Sequence, residues 1–313
     1  MSSMLGLALS LFASDGSDSG MDSGRRQVLS CGVSSLDVRG GLTLSPDAAA
    51  IGVIGGSGFY RWLTDVESVS LETPYGPPSA PLSVGTLAGR RVAFLPRHGS
   101  RHEFPPHQVN YQANVWAMRQ LGVRRLIGVA AVGSLQPGLR PGDVVICDQF
   151  VDRTRGRIDT YFEGPEVFHV SAADPYCPQL RGLAAQAASS ETDRWHRSGV
   201  VVVIQGPRFS TRAENDWFRW MGWDVVSMTQ YPEVILAREQ EMCYLNLSLV
   251  TDYDAGLKAD AEVGRVTAYE VARVMAQNVT LVQRILQRLA PAIPQELSCD
   301  CQQSLAAARL SAS

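Results

Sequence analysis

Thr251-Asp252-Tyr253-Asp254 closes an apolar run and offers the residues best suited to proton transfer. Such a pair could bind a metal, act as acid and base, or cap the next helix; taken singly, capping is favoured. Pro96-Arg97-His98-Gly99 follows the apolar run Arg91–Leu95, and Arg97 carries planar, bidentate donors suited to phosphate. A lone Arg at such a place is usually a solvated charge. His98, His102 and His107 invite a metal reading, but there is no HExxH, and Pro105-Pro106 breaks any helix that would align them. Gly55-Gly56-Ser57-Gly58 lets the backbone turn tightly and bring N–H groups to an anion, with Ser57 as a further donor. It is not GxGxxG, so a dinucleotide site is poorly supported. Alone, a tight turn is as good a reading as phosphate binding.

Three more polar segments sit at the ends of apolar runs: Val132-Gly133-Ser134, Gln205 to Arg212, and Ser227-Met228-Thr229. Open α/β sheets place their ligands at such strand ends. The runs themselves predict strands at Ile51–Ile54, Arg91–Leu95, Leu126–Ala130, Asp143–Asp148, Val200–Ile204, Val225–Met228 and Cys243–Thr251. Several are apolar on successive residues, as suits strands covered on both faces. Helices are predicted at Asn110–Leu121, Arg212–Trp220, Glu233–Glu241 and Ala268–Leu289, the last opened by a capping box of Thr267 and Glu270. No internal repeat is visible. The expectation is one α/β domain over residues 48–291. Residues 1–47 read as a disordered extension and 292–313 as a flexible tail.

The 313 residues are 45% hydrophobic and 19% charged, enough for a sizeable core. A net charge of −3 gives no electrostatic footprint for nucleic acid or an anionic membrane, so no partner of either kind is expected. An anionic ligand must be caught by a local site. No apolar run reaches transmembrane length. Met4 to Ala13 is apolar but short and lacks a basic flank, which disfavours a signal peptide. Six cysteines are scattered without a CxxC. Cys147 and Cys243 read as small buried hydrophobes. Cys299 and Cys301 read as free tail thiols, in preference to a redox or metal role.

Taken in order, GGSG, RHG, VNYQAN, VGSL, GDVVICDQFVDRT, GPRFSTRAE, SMTQYPEVILARE and TDYD resemble the methylthioadenosine phosphorylase branch of the purine nucleoside phosphorylase superfamily. The resemblance covers roughly residues 49 to 290. It implies a single α/β domain whose mixed, partly barrel-like central sheet is flanked by helices, assembled as a cytoplasmic homotrimer. The implied reaction is phosphorolysis of 5'-methylthioadenosine to adenine and 5-methylthioribose 1-phosphate. Its rivals are phosphorolysis of adenosine, methylthioinosine or a 6-oxopurine nucleoside. Phosphate is then a co-substrate, and neither cofactor nor metal is required.

The resemblance also implies roles. Ser57, Arg97, His98 and Thr229 match phosphate ligands; Ala130 replaces a threonine there, with the N–H of Ala131 as a remaining donor. Met228 matches the residue under the ribose. Phe209 and Ser210 match the purine wall, and Asp252 and Asp254 the purine edge, with Asp252 as acid at N7. His102 is placed with the substrate contacts. His169 falls where a neighbouring subunit reaches over the 5'-substituent. Ala268 stands where enzymes for 5'-hydroxyl substrates often carry histidine, and a small apolar residue suits a methylthio group.

Overall fold

A computed structural model describes residues 50–56, 63–256, 266–296, 298–306 and 308–309. Strand β1, Ile51–Gly55, is buried along its whole length and runs parallel to β4, Arg90–Pro96, and to β5, Arg125–Ser134. Its unbroken apolar run is explained by cover on both faces. On one face, Ile54 and Leu126 pack with Val115 and Met118 of α1, Tyr111–Gln120, and with Val234 and Leu236 of α4, Gln230–Glu239. On the other, Ile51 and Val53 pack with Leu180 and Ala184 of α2, Pro178–Ser189, and with Ile285 and Leu289 of α5, Ala268–Ala292. The result is a three-layer α/β/α arrangement.

Among the described residues the sheet has eleven strands and is mixed. β2, Thr64–Val69, and β3, Leu82–Leu87, form an antiparallel meander with β4 at one edge. β5 is the pivot. It pairs with β1 along its first half, with β10, Val225–Ser227, at its end, and with β11, Cys243–Asp252, along its other side. β10 continues to β9, Val200–Ile204, and then β7, Gln149–Arg153. β11 continues to β6, Val144–Ile146, and then β8, Trp195–His196. The single α/β domain with a mixed sheet flanked by helices is as the sequence implies. Among the described residues the ladders branch at β5 and form no closed ring.

The helix starts are set by side chains. Asn110 accepts from the N–H of Ala113 at the start of α1. α3, Arg212–Trp220, opens on a reciprocal capping box of Thr211 and Glu214. At α5, Thr267 accepts from the N–H of Glu270, while the Glu270 carboxylate receives the Thr267 hydroxyl. Each such cap stabilises its helix by about 1 kcal/mol.

The chain beyond α5 differs from the tail expected at 292–313. Ile293 and Cys301 are buried, Arg90 donates to Ile293 O at 2.7 Å, and a 3₁₀ turn spans Asp300–Gln303. Its polar composition hides a few apolar and sulfur atoms that dock on the body of the fold. Residues 1–49, part of which was expected to be an extension, lie outside the described residues. No described helix is long and apolar enough to cross a membrane.

Candidate active site

A cleft of ≈ 940 Å³ opens where β1, β4, β9, β10 and β11 end and where β5 runs on from Val129 to Gly133. Its lining brings together Arg97, His98, His102, Ala130, Ala131, Phe209, Met228, Thr229, Asp252, Asp254 and Ala268. Residues separated by up to 171 positions thus meet because the sheet aligns their strand ends. Two of the expected residues are not in this lining. Ser210 stands beside Phe209, its buried hydroxyl without a hydrogen-bond partner among the described residues. His169 is exposed elsewhere, with its N–H on Ala308 O at 2.8 Å. Ser57 lies outside the described residues, although Gly56 of the same turn lines the cleft.

Arg97, His98 and Thr229 line one part of the cleft. Arg97 is 2% exposed, and its Nε and Nη2 donate to Glu233 Oε2 and Oε1 at 2.8 and 2.9 Å. Nη2 also donates to Ile54 O and Nη1 to Val129 O. Among the described residues, four of the five guanidinium N–H groups find acceptors and one on Nη1 does not. The fork expected to grip phosphate bidentately faces a carboxylate instead. Burial would lower the Arg97 pKa, but Glu233 outweighs it and holds it above the ordinary value. Glu233, itself fully buried, also accepts from Tyr244 at 2.7 Å. Gly128 makes room for this group, since a Cβ there would sit 2.2 Å from the Tyr244 hydroxyl.

His98 Nδ1 donates to Phe104 O, 2.8 Å away, since a carbonyl can only accept, and this places the proton on Nδ1. Burial first, then the neighbouring Arg97 charge, pushes its pKa down to about 4. The imidazole is thus neutral near pH 7 and presents Nε2 as an acceptor. The exposed His102 ring leans on it with centroids 4.6 Å apart. Thr229, 7% exposed, begins α4 without capping it, so its hydroxyl is not committed to the helix. The helix proper starts beyond Tyr231, whose φ of −108° and ψ of 134° break α4 directly after its first residue.

Another part carries the aspartates. Asp252 receives the Thr251 hydroxyl at Oδ2 and the N–H of Asp254 at Oδ1, both at 2.7 Å. Burial lifts its pKa to about 6 against these two bonds, with the Asp254 and Glu270 carboxylates adding to the rise. Asp254 is 3% exposed, has φ 50°, and accepts from Asn215 of α3 at 3.0 Å. Gly133 lets β11 bring both carboxylates against β5. A Cβ there would meet Asp254 Cβ at 2.9 Å and Asp252 Oδ1 at 3.0 Å.

Part of the wall is apolar. Ala268, Val271, Ala272, Met275, Ala276 and Val279 form one stripe of α5 along the cleft, faced by Phe209, Met228 and Ile204. Sequence reading missed Glu233 and Asn215, which hold Arg97 and Asp254. Both looked like ordinary helix-surface residues, and only their burial reveals the pairing.

The family model of the phosphorylase superfamily matches residues 50–291. An S-methyl-5'-thioadenosine phosphorylase of Thermofilum pendens is 52% identical over 257 residues, covering 82% of this chain and 96% of its own. A purine nucleoside phosphorylase of Streptomyces coelicolor is 55% identical over 219 residues, covering 67% and 78%. A crystal structure of a methylthioadenosine phosphorylase from an antarctic soil metagenomic library superposes with a TM-score of 0.79 at 40% identity, covering 84% of this chain and 93% of that one.

Proposed function

This chain belongs to the phosphorylase superfamily, and from that premise we propose that it cleaves 5'-methylthioadenosine with inorganic phosphate, releasing adenine and 5-methylthioribose 1-phosphate. It is a pentosyltransferase of the nucleoside phosphorylase type, acting in purine and methionine salvage. One observation carries the reading. A single cleft is lined by Arg97, His98 and Thr229, by an aspartate lifted to a pKa of about 6, and by an apolar stripe of α5.

Breaking an N-glycosidic bond leaves positive charge on the sugar and negative charge on the purine. Both must be answered in the transition state. Phosphate at Arg97, His98 and Thr229 faces the developing sugar cation and adds to C1'. The charge of Arg97 is largely met by Glu233, so much of the phosphate binding falls to short-range donors: the Thr229 hydroxyl, the remaining Nη1–H, and N–H groups about Gly56 and Ala131. Ser57 belongs to the same proposal. His98 Nε2, an acceptor, takes a hydrogen bond from a protonated phosphate oxygen. Met228 lies under the ribose, and Phe209 and Ser210 about the base. Asp252 delivers its proton to N7 as the bond breaks, so the purine leaves neutral. Asp254 accepts from the 6-amino group, which an Asp can do for adenine.

The 5' substituent selects methylthioadenosine over adenosine. The α5 stripe offers no polar group from Ala268 to Val279, so a methylthio group gains contact where a hydroxyl would lose its hydrogen bonds. The proposal extends to a homotrimer in which His169, exposed and off the cleft of its own chain, covers a neighbour's site. A cytoplasmic setting is part of the same proposal. No cofactor enters this chemistry. The test is kcat/KM across nucleosides. Methylthioadenosine should exceed adenosine by about 10–200-fold, the range for a small apolar group in an apolar pocket. It should exceed methylthioinosine by more, because a 6-oxo group faces acceptors. Equal values for a 6-oxopurine nucleoside would overturn the substrate assignment.

A further inference from the structure

We propose that Cys177, Cys243, Cys299 and Cys301 form a tetrathiolate site that binds one zinc ion, at a place remote from the cleft and independent of the substrate reading. Their four Sγ atoms all lie within 4.8 Å of one another. Cys299 Sγ is 3.4 Å from Cys243 Sγ and 3.7 Å from Cys177 Sγ. A regular tetrahedron with Zn–S bonds of about 2.3 Å has sulfur–sulfur edges of about 3.8 Å. A disulfide brings its sulfurs to about 2.05 Å. The arrangement fits the first geometry.

The ligands come from three separate segments that the fold already holds. Cys177 is the N-cap of α2, its N–H fixed on Tyr244 O at 2.8 Å, and its sulfur accepts from the N–H of Leu180. A thiolate is favoured at a helix N-terminus. Cys243 begins β11. Cys299 and Cys301 flank Asp300 at the 3₁₀ turn. Three of the four are at most 7% exposed. One or two buried thiols are ordinary core residues, but four sulfurs converging on one point from three segments are not explained by packing.

The surroundings suit a dianionic Zn(S)₄ centre. Arg125, paired across the ladder with Cys243, is 3% exposed and close enough to act electrostatically on Cys243, Cys299 and Cys177. Its Nη2 donates to Pro294 O and Gln295 O. Its buried Nε has no hydrogen-bond partner among the described residues, a donor that a metal-bound thiolate would satisfy. Loading exchanges four S–H protons for one Zn²⁺ and releases the protons to solvent. Soft, four-coordinate sulfur selects zinc over the oxygen-seeking cations.

The centre would pin the C-terminal segment to α2 and β11. That segment carries Ala308 O, which holds the N–H of His169, and Arg309, which bridges to Phe168. The experiment uses the full chain, expressed with zinc in the medium and purified with a thiol reductant and no chelator. Metals are measured by plasma mass spectrometry, and thiols by a mercurial titration that follows zinc release. One zinc per chain is expected, freed in step with four thiols, and cobalt substitution should give the bands of a tetrahedral tetrathiolate. Cys301→Ser should lose the zinc, while Cys147→Ala, at a buried site elsewhere, should keep it. Should Cys301→Ser fail to fold, the wild-type stoichiometry and titration decide alone. Wild-type protein with no zinc above the buffer blank, with iron in its place, or with these cysteines in disulfides would overturn the proposal.

Discussion

Asp252→Asn separates acid catalysis from shape. The substitution keeps the side-chain outline and removes the titrating proton. A carboxyl with a pKa near 6 is protonated in about 9% of molecules at pH 7, whereas one at 3.8 would be protonated in about 0.06%. Burial therefore raises the competent fraction about 150-fold in the free enzyme. Loss of general acid assistance should lower kcat on methylthioadenosine by about 10²–10⁴. Wild-type kcat/KM should fall about tenfold per pH unit well above pH 6 and level off below it, for one titrating acid. Phosphate also titrates near neutrality, so the ratio of wild type to variant at each pH is the informative quantity. That ratio should be largest below pH 6 and shrink as the pH rises.

The same pKa makes a stability statement. The folded protein binds this proton more tightly than the unfolded chain, so the group's contribution is fully present below pH 3.8 and lost as the pH rises through about 6. Above that, the ionised Asp252 costs up to about 3 kcal/mol, a cost that Asn avoids. The hydrogen bonds can be kept, since an amide oxygen can accept from Asp254 N–H while the Thr251 hydroxyl turns to Val132 O, 3.3 Å away. The melting temperature at pH 8 should be unchanged or higher, checked by circular dichroism. A variant that keeps kcat within threefold of wild type at pH 6, correctly folded, would refute Asp252 as the acid and pass the role to Asp254.

Arg97→Ala leaves Glu233 as an unpaired buried charge and should cost about 3–5 kcal/mol in a denaturant titration. The double change Arg97→Met with Glu233→Met should recover most of that loss while the phosphate KM stays raised; a normal phosphate KM would make Arg97 purely structural. Gly133→Ala forces a Cβ to within 3.0 Å of Asp252 Oδ1 and Asp254 Cβ. It should lower kcat more than phosphate KM in steady-state assays, and unaltered kinetics would show that β11 moves freely.

What could be read from the sequence was what local pattern encodes. The strand ends carrying Arg97, Thr229 and Asp252 were legible because covered strands are apolar throughout and stop at polar residues. The bounds of α3 read from the sequence, Arg212–Trp220, are those of the structure, where Thr211 and Glu214 cap its start. β2 was not legible, because its strand Thr64–Val69 lies on an edge and is almost wholly exposed, with no apolar alternation. α2 was not, because its buried face is mostly alanine, Ala184, Ala185, Ala187 and Ala188, which gives little contrast. Long-range pairings left no local trace. Arg97 and Glu233 are 136 positions apart, so the fork read as a phosphate grip has its partner in another layer. The four cysteines escaped for the same reason: no spacing rule joins positions 177 and 243 to the Cys299–Cys301 pair.

The central claim is that phosphate, not water, receives the sugar. Purified protein is given 5'-methylthioadenosine in phosphate-free buffer and again with phosphate added, and both adenine and the sugar product are identified by mass spectrometry. The account predicts adenine release only with phosphate, matched one to one by a methylthioribose phosphate ester. Undiminished adenine release without phosphate, accompanied by free methylthioribose, would contradict it.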